Sequence, residues 1–136
     1  MDGSSLPAMT DGTITSGSPY EDAYGFVRGR RVGNRVEIAG TAPVPPVGEQ
    51  VAGTAYGQML RCGHIALEAL ADLGAEATDV VRTRMFICDP ADADEIGRAH
   101  KELFGSHPPV ATMVVVAALL DPAWKVEIEV EAIVAG

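Results

Sequence analysis

A chain of 136 residues, 47% hydrophobic and 21% charged, has the size and apolar content of one domain with a real core. Its formal net charge of −9 disfavours nucleic-acid partners, whose affinity comes from Lys and Arg neutralising phosphates. Two cysteines are too few for a disulfide framework, no signal-peptide pattern opens the chain, and the longest apolar run, residues 110–120, is too short for a bilayer span. The expectation is therefore a cytoplasmic protein with no membrane or nucleic-acid partner.

Residues 1–20 are rich in Gly, Ser, Asp and Thr and are expected to form a flexible tail, leaving 21–136 as a single domain. Two strand-like runs, YGFVRGRRV and NRVEIAGT, meet at Val32, Gly33 and Asn34, where Gly and Asn suit the positive φ angles of a tight hairpin. Pro43, Pro45 and Pro46 make the next segment a loop. Over 54–73, Ala55, Met59, Cys62, Ala66, Ala69, Leu70 and Leu73 recur at helical spacing, with Gly74 placed to end the helix.

VVRTRMFIC (80–88) alternates as a strand, with Arg82, Arg84, Phe86 and Cys88 on one side and Val81, Thr83, Met85 and Ile87 on the other. Asp92 and Glu95 have capping-box spacing ahead of a stripe of Ile96, Ala99, His100, Leu103 and Phe104. Residues 110–120 read as a buried strand and 124–134 as the last strand, separated by a turn at Asp121 and Pro122. The order is β-β-α-β-α-β-β.

Two helices cover one face of such a sheet, yet VATMVVVAALL is apolar on both faces. A second copy of the chain is the economical cover, so a homo-oligomer is expected. In KVEIEVEAIV (125–134), Glu127, Glu129 and Glu131 alternate with Val126, Ile128 and Val130. Carboxylates about 6.8 Å apart along a strand repel by roughly 2.4 kcal/mol per adjacent pair at an effective dielectric of about 20, so cations must lie nearby. Arg82 and Arg84 are the expected supply. Arg84 in particular reaches Glu129 if the two strands are neighbours, as a charge pair or as a ligand-binding cation.

RVGNRVEIAGTAP, VVRTRMFICDPADADEIGRAHKELFG and HPPVATMVVVAALLDPAWKVEIEVEAIV together resemble the Rid (RidA/YjgF) family of reactive-intermediate deaminases. The resemblance implies a chorismate-mutase-like α/β (α+β) fold, with one mixed sheet carrying two helices on one face. It also implies a homotrimer with small-molecule clefts between subunits. The implied chemistry is cofactor-independent hydrolysis of enamines and imines to carbonyl compounds and ammonia. It places the family's carboxylate-binding arginine at Ala111, within the segment Pro109, Val110, Ala111 and Thr112. An aromatic hydroxyl falls at Phe26, an asparagine at Gly97 and a glutamate at Val115. The glutamate of the last strand is kept as Glu129, and a backbone-lined wall falls at Ala39, Gly40, Thr41, Ala42 and Pro43.

Loss of a buried guanidinium–carboxylate contact costs about 2–4 kcal/mol, a roughly 30- to 1000-fold effect. Small 2-imino acids are then in doubt as substrates. The catalytic candidates are Glu129, to orient or deprotonate water, and Thr112, to help hold it. The ligand-binding candidates are Arg84, Phe26, Gly40, Thr41, Ala42, His100 and Ala111. Two further readings are a non-catalytic small-molecule-binding or protein-stabilising trimer, and an enzyme assisting a cyclisation or condensation. Cys62 lies in a buried stripe and Cys88 at a strand end. Cys62, His64, His100 and His107 have no zinc-ligand spacing, so no metal is expected.

Overall fold

The computed structural model describes residues 12–135. The flexible tail expected over 1–20 lies outside the described residues at 1–11, and its remainder belongs to the fold. Strand β1 (Thr13–Ile14) pairs antiparallel with β2 (Gly29–Val32), Thr13 lying opposite Arg30. Helix α1 (Pro19–Tyr24) begins at Ser18, whose hydroxyl accepts from the Tyr20 N–H at 3.2 Å, and ends at Gly25 with φ 79°. Glu21 is buried and accepts from the backbone N–H of Ser16 at 3.1 Å and from the Ser16 hydroxyl. These polar hydrogen bonds and the one buried side chain of Ile14 tie the segment down, so its composition, poor in large apolar groups, reads as a tail.

Strand β2 turns into β3 (Arg35–Thr41) through Gly33 and Asn34. Gly33 alone takes a positive φ, 62°, as a two-residue turn with Gly first requires, so Asn34 does not share that role. Helix α2 (Ala55–Asp72) starts at Thr54, whose hydroxyl accepts from the Gly57 N–H at 3.0 Å. It ends with Gly74 at φ 84°, where the Gly74 and Ala75 N–H groups donate to the carbonyls of Ala71 and Leu70.

Strand β4 (Val80–Ile87) follows, then α3 (Ala93–Phe104), β5 (Val110–Val115) and β6 (Val126–Ile133). The six strands lie in the order β1-β2-β3-β6-β4-β5, antiparallel except for the parallel pair β4 and β5. The mixed sheet with α2 and α3 packed together is the expected α+β arrangement, with α1 as an additional short helix. Val126, Ile128 and Val130 of β6 and Met85 and Ile87 of β4 are buried with Met59, Cys62, Ala66 and Leu70 of α2 and Ile96, Ala99 and Phe104 of α3.

Three local expectations change. Asp92 makes no capping hydrogen bond; Glu95 accepts instead from the Tyr56 N–H at 3.1 Å, tying α3 to the start of α2. A register shift between Val80 and Arg82 turns Val81 out to solvent, away from the buried Thr83. The strand expected over 110–120 stops at Val115, and Leu120 is exposed beyond it. Strand β5 is not buried in the single chain: it forms the end of the sheet, with Val110, Val114 and Val115 exposed. No helix among the described residues is long and apolar enough to cross a membrane.

Candidate functional site

Alternation in β6 puts Glu127, Glu129 and Glu131 on the face away from α2 and α3, and strand pairing decides what each meets. Glu131 lies opposite Arg82 in β4 and Glu37 in β3, and Glu129 opposite Arg84. Arg84 Nη1 donates to Glu131 Oε2 at 2.9 Å and stands 3.6 Å from Glu129 Oε1. The bond to Glu131 raises the guanidinium pKa above its ordinary value. Arg35 Nε donates to Glu37 Oε2 at 2.6 Å, with Arg35 Nη2 3.8 Å from Glu131 Oε1. Carboxylates and arginines thus interleave across the strands, offsetting the repulsion among the acids.

This face opens into a groove of about 960 Å³ between α1 and the sheet. Arg84, Glu129, Glu131, Glu37 and Arg30 line its charged side, and Phe26 and Val27 its apolar side. Phe26 is 41% exposed, leaving its ring available to a ligand. The sequence candidates Arg84, Glu129 and Phe26 therefore converge on one cavity. Glu131, which is not among the site candidates read from the sequence, belongs to it too and makes the shorter contact with Arg84.

The remaining candidates do not converge with them in one chain. Thr112 pairs with Arg84 from the far side, so it shares the face but lies two strand spacings, about 9.6 Å, from the Glu129 position. Thr112 is accordingly absent from the lining of the groove that holds Glu129. Thr41 is fully buried and its hydroxyl donates to the Ala39 carbonyl at 2.8 Å, so it does not present that hydroxyl to a ligand. The Gly40 carbonyl accepts from Arg28 Nη2 at 2.6 Å and that of Ala42 from the Val44 N–H at 2.9 Å, so both oxygens of this wall are engaged.

His100 lies on the other side of the sheet. One of its ring nitrogens, Nε2, is 2.7 Å from the Thr83 hydroxyl, and the ring rests against Phe104. Burial lowers its pKa and favours the neutral ring. Ala111, paired with Thr83, shares that face and is exposed at the end of the sheet. The candidates thus form two sets, Arg84, Glu129, Phe26 and Thr112 on the groove face and His100 and Ala111 behind it. No residue at β5 contributes a cation.

Arg28 escapes the sequence reading, although its alternation with Phe26 and Arg30 was a usable sign. Burial lowers its guanidinium pKa against the opposing pull of Glu21 and Glu127, and its Nε is buried with no hydrogen-bond partner among the described residues. Glu127 lies over Gly40, where a Cβ would strike its carboxylate, and burial pushes its pKa up. Glu127 is thus packed against the backbone and absent from the groove lining. Burial also pushes the Cys62 thiol far up, so it is inert as a nucleophile. Among the described residues, no group of three or more His, Cys, Asp or Glu side chains could hold a metal.

The family model described as endoribonuclease L-PSP matches residues 17–134. An uncharacterized protein of Streptomyces coelicolor is 40% identical over 119 residues, 88% of this chain and 89% of its own length. A Mycobacterium tuberculosis member of the YjgF/YER057c/UK114 family superposes with a TM-score of 0.82 at 36% identity, covering 90% of this chain and 98% of that one. The YjgF gene product of E. coli superposes with a TM-score of 0.72 at 26% identity, over 91% and 94% of the two chains.

Proposed function

This chain belongs to the YjgF/Rid family, and on that premise we propose that it binds and hydrolyses a small imine, enamine or related carbonyl compound without a cofactor. The observation that carries the reading is the groove in which Arg84, Glu129 and Glu131 face the exposed ring of Phe26. Arg84 gives its shorter bond to Glu131, leaving Glu129 the less engaged carboxylate. Water adds to the C=N carbon of an iminium while Glu129 takes one of its protons. The carbinolamine then collapses: Glu129 returns its proton to the nitrogen, the C–N bond breaks to release ammonia, and the hydroxyl gives up its proton as the carbonyl forms. The endoribonuclease description of the family model fits this chain less well, since a net charge of −9 opposes a polyanionic substrate.

The active assembly in this proposal is a homotrimer. Its support is the open end of the sheet, where β5 exposes Val110, Val114 and Val115, and the division of the candidates between two faces. A neighbouring copy docked at β5 would bring one chain's His100, Ala111 and Thr112 toward another chain's groove. A non-catalytic binding role is the second reading, favoured by one observation: the central cation, Arg84, is already held by the chain's own carboxylates.

Incubating the purified protein with enzymatically generated 2-aminoacrylate, and with imines lacking a carboxylate, decides between these readings. Carbonyl release above the buffer rate, lost in Glu129→Gln, is expected. A rate equal to buffer for every compound, with ligand-induced thermal stabilisation, would leave the binding role.

A further inference from the structure

We infer that the groove selects a ligand carrying positive charge on a small apolar body and no carboxylate. This rests on the groove being the ligand site proposed above. Its lining holds five carboxylates, on Glu21, Asp22, Glu37, Glu129 and Glu131, against two guanidiniums, on Arg30 and Arg84. Three more arginines stand close by: Arg35 donates to Glu37 at 2.6 Å, Arg28 donates to the Gly40 carbonyl at 2.6 Å, and Arg82 lies opposite Glu131 in the ladder.

Arg84 would have to leave Glu131, at 2.9 Å, and Glu129, at 3.6 Å, to receive a ligand carboxylate. Arg30, at the rim, lies opposite Glu37 in the ladder. An incoming anion therefore competes at Arg84 and Arg30 with carboxylates already in place. A cation meets the reverse: Glu129 is the carboxylate with the longer contact to Arg84, and the Phe26 ring lines the same groove as a π face. The apolar side of Phe26 and Val27 suits the remainder of a small organic iminium or ammonium ion. Charge and shape thus define one ligand class.

Two probes separate this from carboxylate recognition: 1-pyrroline, which protonates to a cyclic iminium, and 1-pyrroline-2-carboxylate, which differs only by the acid group. Titrated into isotopically labelled protein and followed by amide shifts, 1-pyrroline is expected to perturb Phe26, Glu129 and their neighbours and to bind more tightly than its carboxylate. Added salt should weaken it. Glu129→Gln should weaken 1-pyrroline by about fivefold, the upper end for an exposed ion pair, and should not weaken the carboxylated probe. A thermal melt checks that the variant is folded.

Tighter binding of the carboxylate, or no binding of 1-pyrroline in the groove, overturns the inference. The 2-aminoacrylate assay then shows whether the family chemistry survives without it: turnover of that substrate would leave the proposed function standing and remove only the charge selection.

Discussion

Replacing Gly40 by alanine distinguishes a wall built for ligand from a surface built for the chain's own packing. A Cβ at this position would strike Oε2 of Glu127 and come within 3.4 Å of its carboxyl carbon. The carboxylate is half-buried near Arg28, whose own guanidinium is tied to the Gly40 carbonyl, so displacing it disturbs both groups. The atom struck is the far end of a half-buried side chain that can swing aside, so the cost falls at the low end of overpacking, about 1 kcal/mol. At roughly 4 °C per kcal/mol for a chain of this size, Gly40→Ala should melt about 4 °C below the parent.

Glu127→Ala removes the obstacle, so Gly40→Ala made in that background should melt within about 2 °C of it, the margin expected when the clash is the whole cause. Calorimetric melts of the four proteins at neutral pH complete the cycle. Additive losses, or a Gly40→Ala protein that melts normally, would refute the packing argument. A normal melt combined with lost ligand binding would restore Gly40 as a ligand wall.

Three other outcomes follow from the geometry. Burial lowers the His100 pKa below 6.5, so the unfolded chain takes up a proton that the folded chain resists; this part of the stability is present above about pH 6.5 and declines as pH falls below it. In urea titrations across that range, His100→Gln should flatten the decline, and an unchanged slope would count against the assignment. Gly74→Ala places a side chain at φ 84° and its Cβ 2.6 Å from Arg31 Nη1, which donates to the Leu73 carbonyl; a loss of about 1–2 kcal/mol in chemical denaturation is expected. If the proposed homotrimer docks through the exposed end of the sheet, Val114→Lys should sediment as a folded monomer where the parent sediments as a trimer, and a variant that sediments like the parent would place the interface elsewhere.

What was legible in the sequence is what neighbouring residues decide among themselves. Helix α2 could be read from its apolar spacing and from Gly74, because the cap, the stripe and the final hydrogen bonds lie within a few residues of one another. Helix α1 could not, because Glu21 and Ser16 hold it through polar bonds that composition counts against order. The Asp92 capping box failed for a related reason: the spacing was correct, but the carboxylate of Glu95 found a donor 39 residues away in sequence. Strand β5 was read as buried because its apolar residues on both faces call for cover, one face of it from a second copy, and a single copy leaves them open.

The three acids of β6 show where that limit falls in the candidate site. Alternation alone fixed their common face and required cations beside them, and both hold. It could not rank them, since each is a glutamate two residues from the next and their partners are chosen by strand register. The irregularity between Ile38 and Thr41 in β3 brings Gly40 under Glu127, removing that carboxylate from the groove. The register of β4 brings Arg84 opposite Glu129, while the guanidinium reaches past it to Glu131. Two residues with the same side chain, one turn of the pleat apart, therefore differ in what they have left to offer. Glu131 is largely occupied with Arg84, and Glu129 is the carboxylate whose replacement most directly tests ligand charge and water activation.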